Sequence, residues 1–290
     1  MRRSMLFMPG NNAGMLLNAD ALGADSIILD LEDAVSPAEK DSARILVRNA
    51  LKYLNYSNCE IIIRINSIDT DYWKSDLEEI IPLMPHMIMP PKISCAKDVQ
   101  IVADYIKEVE EKHNIKKSTH IIPLIETALG VENAFEIAKS SDRVKAIFLG
   151  AEDLTADLRC KRTKKGDEIF YSRGRLVTAA RAANIDAYDT PFTDVEDEEG
   201  LEQDALFAKS LGFTGKAAIS PRHVMIINEV FSPTIEEIEY AKEVMDIIRV
   251  AKEQGKGAIS LRGKMIDAPI VARAMQTLKM AEQLGGAINE

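Results

Sequence analysis

A chain of 290 residues with 46% hydrophobic positions carries enough apolar side chain for one large α/β core or two smaller ones without help from disulfides. Its three cysteines, Cys59, Cys95 and Cys160, form no CxxC pair, and its four histidines lack the spacing of a zinc site, so any metal here should be held by carboxylates. A formal net charge of −10 argues against a nucleic-acid surface.

At the N-terminus, the apolar run 5–8 stops at Pro9-Gly10, far short of a signal-peptide core or a membrane span, which predicts a cytoplasmic chain with no membrane association. Eight short apolar runs then recur, at residues 5–8, 26–31, 60–65, 87–89, 121–125, 146–149, 186–188 and 216–219. Each is followed by a longer amphipathic stretch, the pattern of βα units around a parallel sheet. The clearest helix is 96–112, where Val99, Val102, Ala103, Ile106 and Val109 recur at i, i+3, i+4 spacing. Eight repeats over roughly 220 residues suit a closed TIM (β/α)8 barrel better than an open doubly wound sheet. The open sheet would want a GxGxxG turn, which Gly10-Asn11-Asn12-Ala13-Gly14 does not match.

Beyond residue 231 the pattern changes. Ser232-Pro233-Thr234 followed by Glu236 and Glu237 starts a long charged helix to about Gln254. A glycine-rich stretch, 255–263, leads to Lys264-Met265-Ile266-Asp267-Ala268-Pro269 and a final helix ending near Gly285-Gly286. The expected organisation is a barrel at 1–231 and a C-terminal helical extension at 232–290, packed on its own barrel or reaching a neighbouring subunit.

Barrel enzymes place reacting groups where strands end. Here those ends read Asp30-Leu31-Glu32-Asp33, Arg64-Ile65-Asn66, Pro90-Pro91-Lys92, Glu126 and Gly150-Ala151-Glu152-Asp153, so carboxylates and cations alternate around one rim. Glu126 and Asp153 are 27 positions apart (153 minus 126), about one βα repeat, which brings them onto adjacent strand ends able to share one Mg²⁺. The plain alternative is a helix-starting Glu and an N-cap Asp. Arg64 ends the apolar strand Ile61-Ile62-Ile63 where a guanidinium can grip a substrate carboxylate, or form a structural ion pair with Asp30, Glu32 or Asp33, or both. Backbone N–H groups at Gly150 and Ala151 suit an anionic or carbonyl oxygen, with tight packing as the alternative for Gly150. Gly10-Asn11-Asn12 reads either as a phosphate-facing helix start or as a plain turn.

Together these segments resemble a known family. Phe7-Met8-Pro9-Gly10-Asn11-Asn12, Asp30-Leu31-Glu32-Asp33-Ala34-Val35, Arg64-Ile65-Asn66, Ile125-Glu126-Thr127-Ala128, Gly150-Ala151-Glu152-Asp153-Leu154, Asp186-Ala187-Tyr188-Asp189-Thr190, Ser220-Pro221-Arg222 and Gly263-Lys264-Met265-Ile266-Asp267 are similar, in order and spacing, to the citrate lyase β-subunit family. That family belongs to a larger group of citryl-, malyl- and citramalyl-thioester lyases, and the resemblance spans essentially the whole chain. The sequence departs from the pattern at the extra proline of Met89-Pro90-Pro91-Lys92 and at Ser220, where many relatives have Asn.

The resemblance implies a barrel fold and Mg²⁺ held by Glu126 and Asp153, with Asp33 supporting the metal through water. It implies that Arg64 holds the 2-oxoacid carboxylate near the backbone of Gly150 and Ala151, and that Asp267 completes a neighbouring subunit's site and is the candidate for proton transfer. The implied reaction is cleavage of a citryl thioester, on acyl carrier protein or CoA, to oxaloacetate and an acetyl thioester. The implied partners are the citrate lyase α and γ (acyl carrier) subunits, and a homo-oligomer, plausibly a trimer, is expected. The rival readings are a stand-alone malyl-CoA or citramalyl-CoA lyase, an aldolase acting on free hydroxy-oxoacids, and a noncatalytic scaffold subunit. Joint retention of Arg64, Glu126 and Asp153 speaks against the last.

Overall fold

Short β-branched and methionine-rich runs become strands because side chains alternating across a pleated wall can all be buried, half inside the barrel and half under the helices. The computed structural model describes residues 1–253 and 260–285. Strands β1 (Ser4–Pro9), β2 (Ser26–Asp30), β3 (Glu60–Arg64), β4 (Met87–Met89), β5 (His120–Ile121), β6 (Leu124–Ile125), β7 (Ala146–Leu149), β8 (Asp186–Asp189) and β9 (Gly215–Ala218) form one parallel sheet in the order β5-β4-β3-β2-β1-β9-β8-β7-β6.

β5 and β6 are two halves of one crossing of the wall. Pro123 has no N–H to give to a ladder, so the strand is interrupted there while it stays paired with both neighbours. Toward β4, Ile121 pairs with Ile88 and the Leu124 N–H donates to the Pro90 carbonyl at 3.0 Å; toward β7, Ile121 bridges Val144 and Leu124 pairs with Phe148. The sheet therefore closes on itself as an eight-stranded (β/α)8 barrel, as the eight apolar runs predict. The 96–112 helix forms over Ala96–Lys112 and buries the five residues of its predicted stripe together with Glu110.

Inside the barrel, Met5, Ile28, Ile62, Leu124, Phe148, Tyr188 and Ala217 pack as one apolar cluster. Its N-terminal end is shut by Arg2, which pairs with Glu60 and reaches the Tyr188 hydroxyl at 3.4 Å. Burial and the neighbouring Asp186 push the Tyr188 phenol well above its ordinary range.

The chain divides into two compact units, Arg2–Glu229 and Val230–Glu290. In the second, Thr234 and Glu237 exchange hydrogen bonds at 2.9 and 3.1 Å, the capping box that starts helix Ile235–Glu253. That helix packs on helix Ala268–Gln283 around Ala241, Val244, Ile266 and Ala274. Between them, β10 (Ser260–Leu261) and β11 (Lys264–Met265) form a hairpin whose two turn residues, Arg262 and Gly263, both have positive φ, the backbone a two-residue hairpin with right-handed twist requires. Gln254, the glycine-rich residues 255–259 and Gly286 lie outside the described residues.

Candidate active site

Period-two alternation carries each strand's inward row one step past the apolar cluster, to its C-terminal end. The positions reached are Phe7 after Met5, Asp30 after Ile28, Arg64 after Ile62, Glu126 after Leu124, Gly150 after Phe148 and Thr190 after Tyr188. All six line a cavity of about 360 Å³, joined by Asp33 from the loop after β2 and by Ala151 and Asp153 from the first turn of helix Ala151–Asp157. Of the residues read from sequence, Arg64, Glu126, Gly150, Ala151, Asp153 and Asp33 thus share one cavity within the barrel unit. Asp267 belongs to the C-terminal unit, where its side chain caps helix Ala268–Gln283 by accepting from the Ile270 N–H at 3.2 Å.

Arg64 and Asp30 are register partners on β3 and β2. Arg64 Nε and Nη2 donate to the two Asp30 carboxylate oxygens at 2.7 and 2.5 Å, and Nη1 lies 3.1 Å from Glu32 and 3.8 Å from Asp33. The guanidinium also lies over the Phe7 ring, 5.1 Å from its centroid. Burial opposes the charge, but Asp30, Glu32 and Asp33 together raise the Arg64 pKa above its ordinary value. Both sequence alternatives for Arg64 are compatible here: it is ion-paired and it faces the cavity. Asp30 also accepts from the Glu32 and Ala34 N–H groups, which shapes the loop after β2.

Lys92 organises the opposite side of Glu32. Its Nζ lies 2.7 Å from Glu32 and 3.7 Å from Asp33, and its backbone, held at φ +55° after two prolines, directs its N–H to Glu126 Oε1 at 2.7 Å. Burial raises the Glu32 pKa, against the pull of Arg64 and Lys92.

Glu126 is 3% exposed. Burial first, then Glu32 and Asp153, push its carboxyl up to about 8, with the Lys92 N–H pulling the other way. Such a group gains by sharing a cation. One carboxylate directly after β6 and one in the first helical turn after β7, with hard oxygen donors and, among the described residues, no histidine or cysteine in the cavity wall, fit Mg²⁺. Among the described residues no three His, Cys, Asp or Glu side chains converge as a full cage, so the remaining octahedral positions fall to water and substrate oxygens. Gly150 makes this possible: a Cβ there would stand 2.6 Å from Glu126 Oε2 and 2.9 Å from Glu126 Cβ. The Gly150 N–H is used in the wall, donating to the Ile125 carbonyl at 2.9 Å, and the Ala151 N–H donates to Thr190 Oγ1 at 3.2 Å.

At the first βα loop, Gly10 lets the backbone approach β2, its N–H donating to the Asp30 carbonyl at 2.8 Å where a Cβ would meet the same oxygen at 2.7 Å. Asn12 caps the six-residue helix Ala13–Asn18. These contacts fit the turn reading.

A family model described as HpcH/HpaI aldolase/citrate lyase matches residues 3–221. The chain belongs to this family. It is 44% identical to the citrate lyase subunit beta of Leuconostoc mesenteroides subsp. cremoris, over 97% of this chain and 93% of that one. The structure of CitE from Mycobacterium tuberculosis in complex with magnesium, acetoacetate and coenzyme A superposes with a TM-score of 0.79 at 29% identity, covering 97% of this chain and 98% of that one. A citrate lyase β subunit from the same organism, complexed with oxaloacetate and magnesium, matches with a TM-score of 0.69 at 30% identity, over 80% of this chain and 97% of the other.

Sequence reasoning assigned no role to Thr190, nor to the buried quartet next to it. Arg173 donates to Asp189 at 3.0 and 2.9 Å and to Asp204 at 2.7 Å, while Lys216 Nζ reaches Asp189 and Asp204, each at 2.6 Å, and the Thr190 carbonyl at 2.8 Å. Arg173 and Asp204 lie on helices, where a charge ordinarily reads as surface. The available signals were the Asp186-Ala187-Tyr188-Asp189-Thr190 motif and the place of Lys216 on an otherwise apolar strand.

Proposed function

We propose that this carbon–carbon lyase cleaves a citryl thioester to oxaloacetate and an acetyl thioester as the β subunit of citrate lyase. The observation that carries the reading is the one cavity lined by both the Arg64 guanidinium and the Glu126–Asp153 pair. The chain as a whole is similar to solved structures that hold magnesium with oxaloacetate or with acetoacetate and coenzyme A, which supports the reading.

Cleavage must stabilise negative charge on the substrate hydroxyl oxygen as the carbon–carbon bond breaks, then on the departing acetyl thioester. Glu126 and Asp153 would hold Mg²⁺, with Asp33 supporting it through water. When bound, Mg²⁺ supplies Lewis-acid stabilisation of developing oxygen charge. Arg64, fixed by Asp30 and Phe7, orients the carboxylate and adds positive potential on the same side. The Gly150–Ala151 backbone, its N–H groups already given to Ile125 and Thr190, lines the oxoacid end beside Glu126. Asp267 is the proposed proton-transfer group, supplied by a neighbouring copy in a homo-oligomer, with a trimer the expected assembly. The thioester is carried by the γ (acyl carrier) subunit or by CoA, and the α subunit performs acyl transfer. Among the described residues no helix is long and apolar enough to cross a membrane.

The test is oxaloacetate release from citryl-CoA by the purified chain, coupled to malate dehydrogenase, with Mg²⁺, with EDTA and with Glu126→Ala. Release that needs Mg²⁺ and disappears in the variant supports the reading. Release from malyl-CoA or citramalyl-CoA but not from citryl-CoA would replace it.

A further inference from the structure

Thr190 is 1% exposed and follows β8 directly into the cavity wall. Both of its polar ends are fixed. Lys216, fully buried in the quartet with Asp189, Asp204 and Arg173, donates to its carbonyl, and the Ala151 N–H donates to its hydroxyl oxygen. A threonine hydroxyl has one proton to give besides the lone pairs that accept. Among the described residues no acceptor takes that proton. An oxygen that already accepts an N–H bond is a stronger donor, because hydrogen bonds in a chain polarise one another.

The composition of the wall gives this proton a use. Arg64 is the one cationic side chain lining the cavity, against Asp30, Asp33, Glu126, Glu152 and Asp153, and Thr190 is the one neutral hydrogen-bonding side chain. Arg64 has committed Nε and Nη2 to Asp30. The sheet order places β3 and β8 four steps apart whichever way the eight-stranded wall is followed, counting β5 and β6 as one crossing. Arg64 and Thr190 therefore face each other across the mouth. A dicarboxylate laid across that mouth has one end at the guanidinium and the other at the threonine.

Resting on the proposed citryl reading, the geometry points to Thr190 as a specificity-determining residue, whose hydroxyl donates to the second carboxylate of the oxoacid half. That carboxymethyl group is what a citryl thioester has where a citramalyl thioester has a methyl group and a malyl thioester a hydrogen. The buried quartet is the clamp that keeps the hydroxyl in place.

The experiment compares wild type, Thr190→Val and Thr190→Ser on citryl-, citramalyl- and malyl-CoA with Mg²⁺, alongside calorimetric binding of oxaloacetate and pyruvate. Loss of a hydrogen bond to a charged acceptor should cost Thr190→Val about 10- to 100-fold in kcat/KM for citryl-CoA and in oxaloacetate affinity. Cleavage of the other two thioesters, and pyruvate binding, should change by less than about threefold, and Thr190→Ser should recover most of the citryl activity. An equal loss on all substrates would overturn the proposal, because it is what an orphaned Ala151 N–H alone would produce. Unchanged oxaloacetate affinity in Thr190→Val would overturn it as well. Wild-type cleavage of malyl-CoA or citramalyl-CoA but not of citryl-CoA would sink the proposed function, while the ratio of oxaloacetate to pyruvate binding still judges Thr190.

Discussion

Asp30 and Arg64, register partners on neighbouring strands, meet through two parallel hydrogen bonds in the wall of the catalytic cavity. Asp30 is 1% exposed and also takes two backbone N–H groups from its own loop, so it serves the guanidinium and the chain path together. Removing one partner of a buried pair leaves the other charge uncompensated, at a cost of about 3–5 kcal/mol. Asp30→Ala is expected to lower unfolding stability by that order in urea titrations and to abolish measurable cleavage. A loss below about 1 kcal/mol would mean that Glu32 and water can take over the guanidinium.

Gly150→Ala tests how closely the backbone must approach Glu126. The added carbon would stand 2.6 Å from the carboxylate oxygen, and the side chain that must yield is itself the proposed metal ligand. The expected result is a folded protein whose Mg²⁺ affinity, read by calorimetry, is at least about tenfold weaker, the scale of effect seen when the surroundings of a ligand are disturbed. Wild-type affinity would show that Glu126 has another usable conformation.

Glu126 also sets a pH dependence. Its folded carboxyl is raised from the ordinary 4.5 to about 8 without a cation, so the protonated form favours the fold. That contribution is fully present below about 4.5 and is lost as pH rises through about 8. The metal-free chain should therefore lose thermal stability over this window, while Mg²⁺, which needs the carboxylate, should bind more tightly at pH 8 than at pH 6 and release a proton at the lower pH. Calorimetry in two buffers of different ionisation enthalpy counts that proton. Glu126→Gln should flatten the metal-free trend, and a trend unchanged in that variant would assign it to another group.

Asp267 has a structural duty as a helix cap and a proposed chemical one. Asp267→Asn keeps a capping oxygen but cannot exchange a proton, whereas Asp267→Ala loses both, with a stability cost of about 1 kcal/mol. Both variants should slow turnover by about 100-fold or more with Mg²⁺ affinity unchanged. A fully active Asn variant would leave Asp267 as a cap alone.

The barrel was legible because period-two apolar runs and the amphipathic stripe of Ala96–Lys112 follow from burial alone. Arg64 and Glu126 were legible because a charge that ends an apolar strand must either pair or face a cavity, and Asp153, in the first turn of helix Ala151–Asp157, was legible through its spacing of one βα repeat from Glu126. Which acid pairs with Arg64 was not legible: Asp30, Glu32 and Asp33 are neighbours in sequence, and the choice of Asp30 follows from strand register. Thr190 was hidden for a different reason. A single hydroxyl has no pattern, and its importance comes from Lys216 and Ala151, which only the closed wall brings to it. The 121–125 run was read as one continuous strand, and the interruption inside it falls at Pro123, whose missing N–H breaks the ladder without changing the neighbours.

Arg2 and Glu60, drawn against the Tyr188 hydroxyl, make the barrel a cup with a sealed base. Traffic then shares a single doorway. If the oxoacid half sits deepest, against Arg64 and Thr190, the acyl carrier blocks its way out, and the products leave in a fixed queue: acetyl thioester first, oxaloacetate second. Under the proposed reaction, oxaloacetate that lingers would occupy the doorway, and its removal would then set how often the doorway is free.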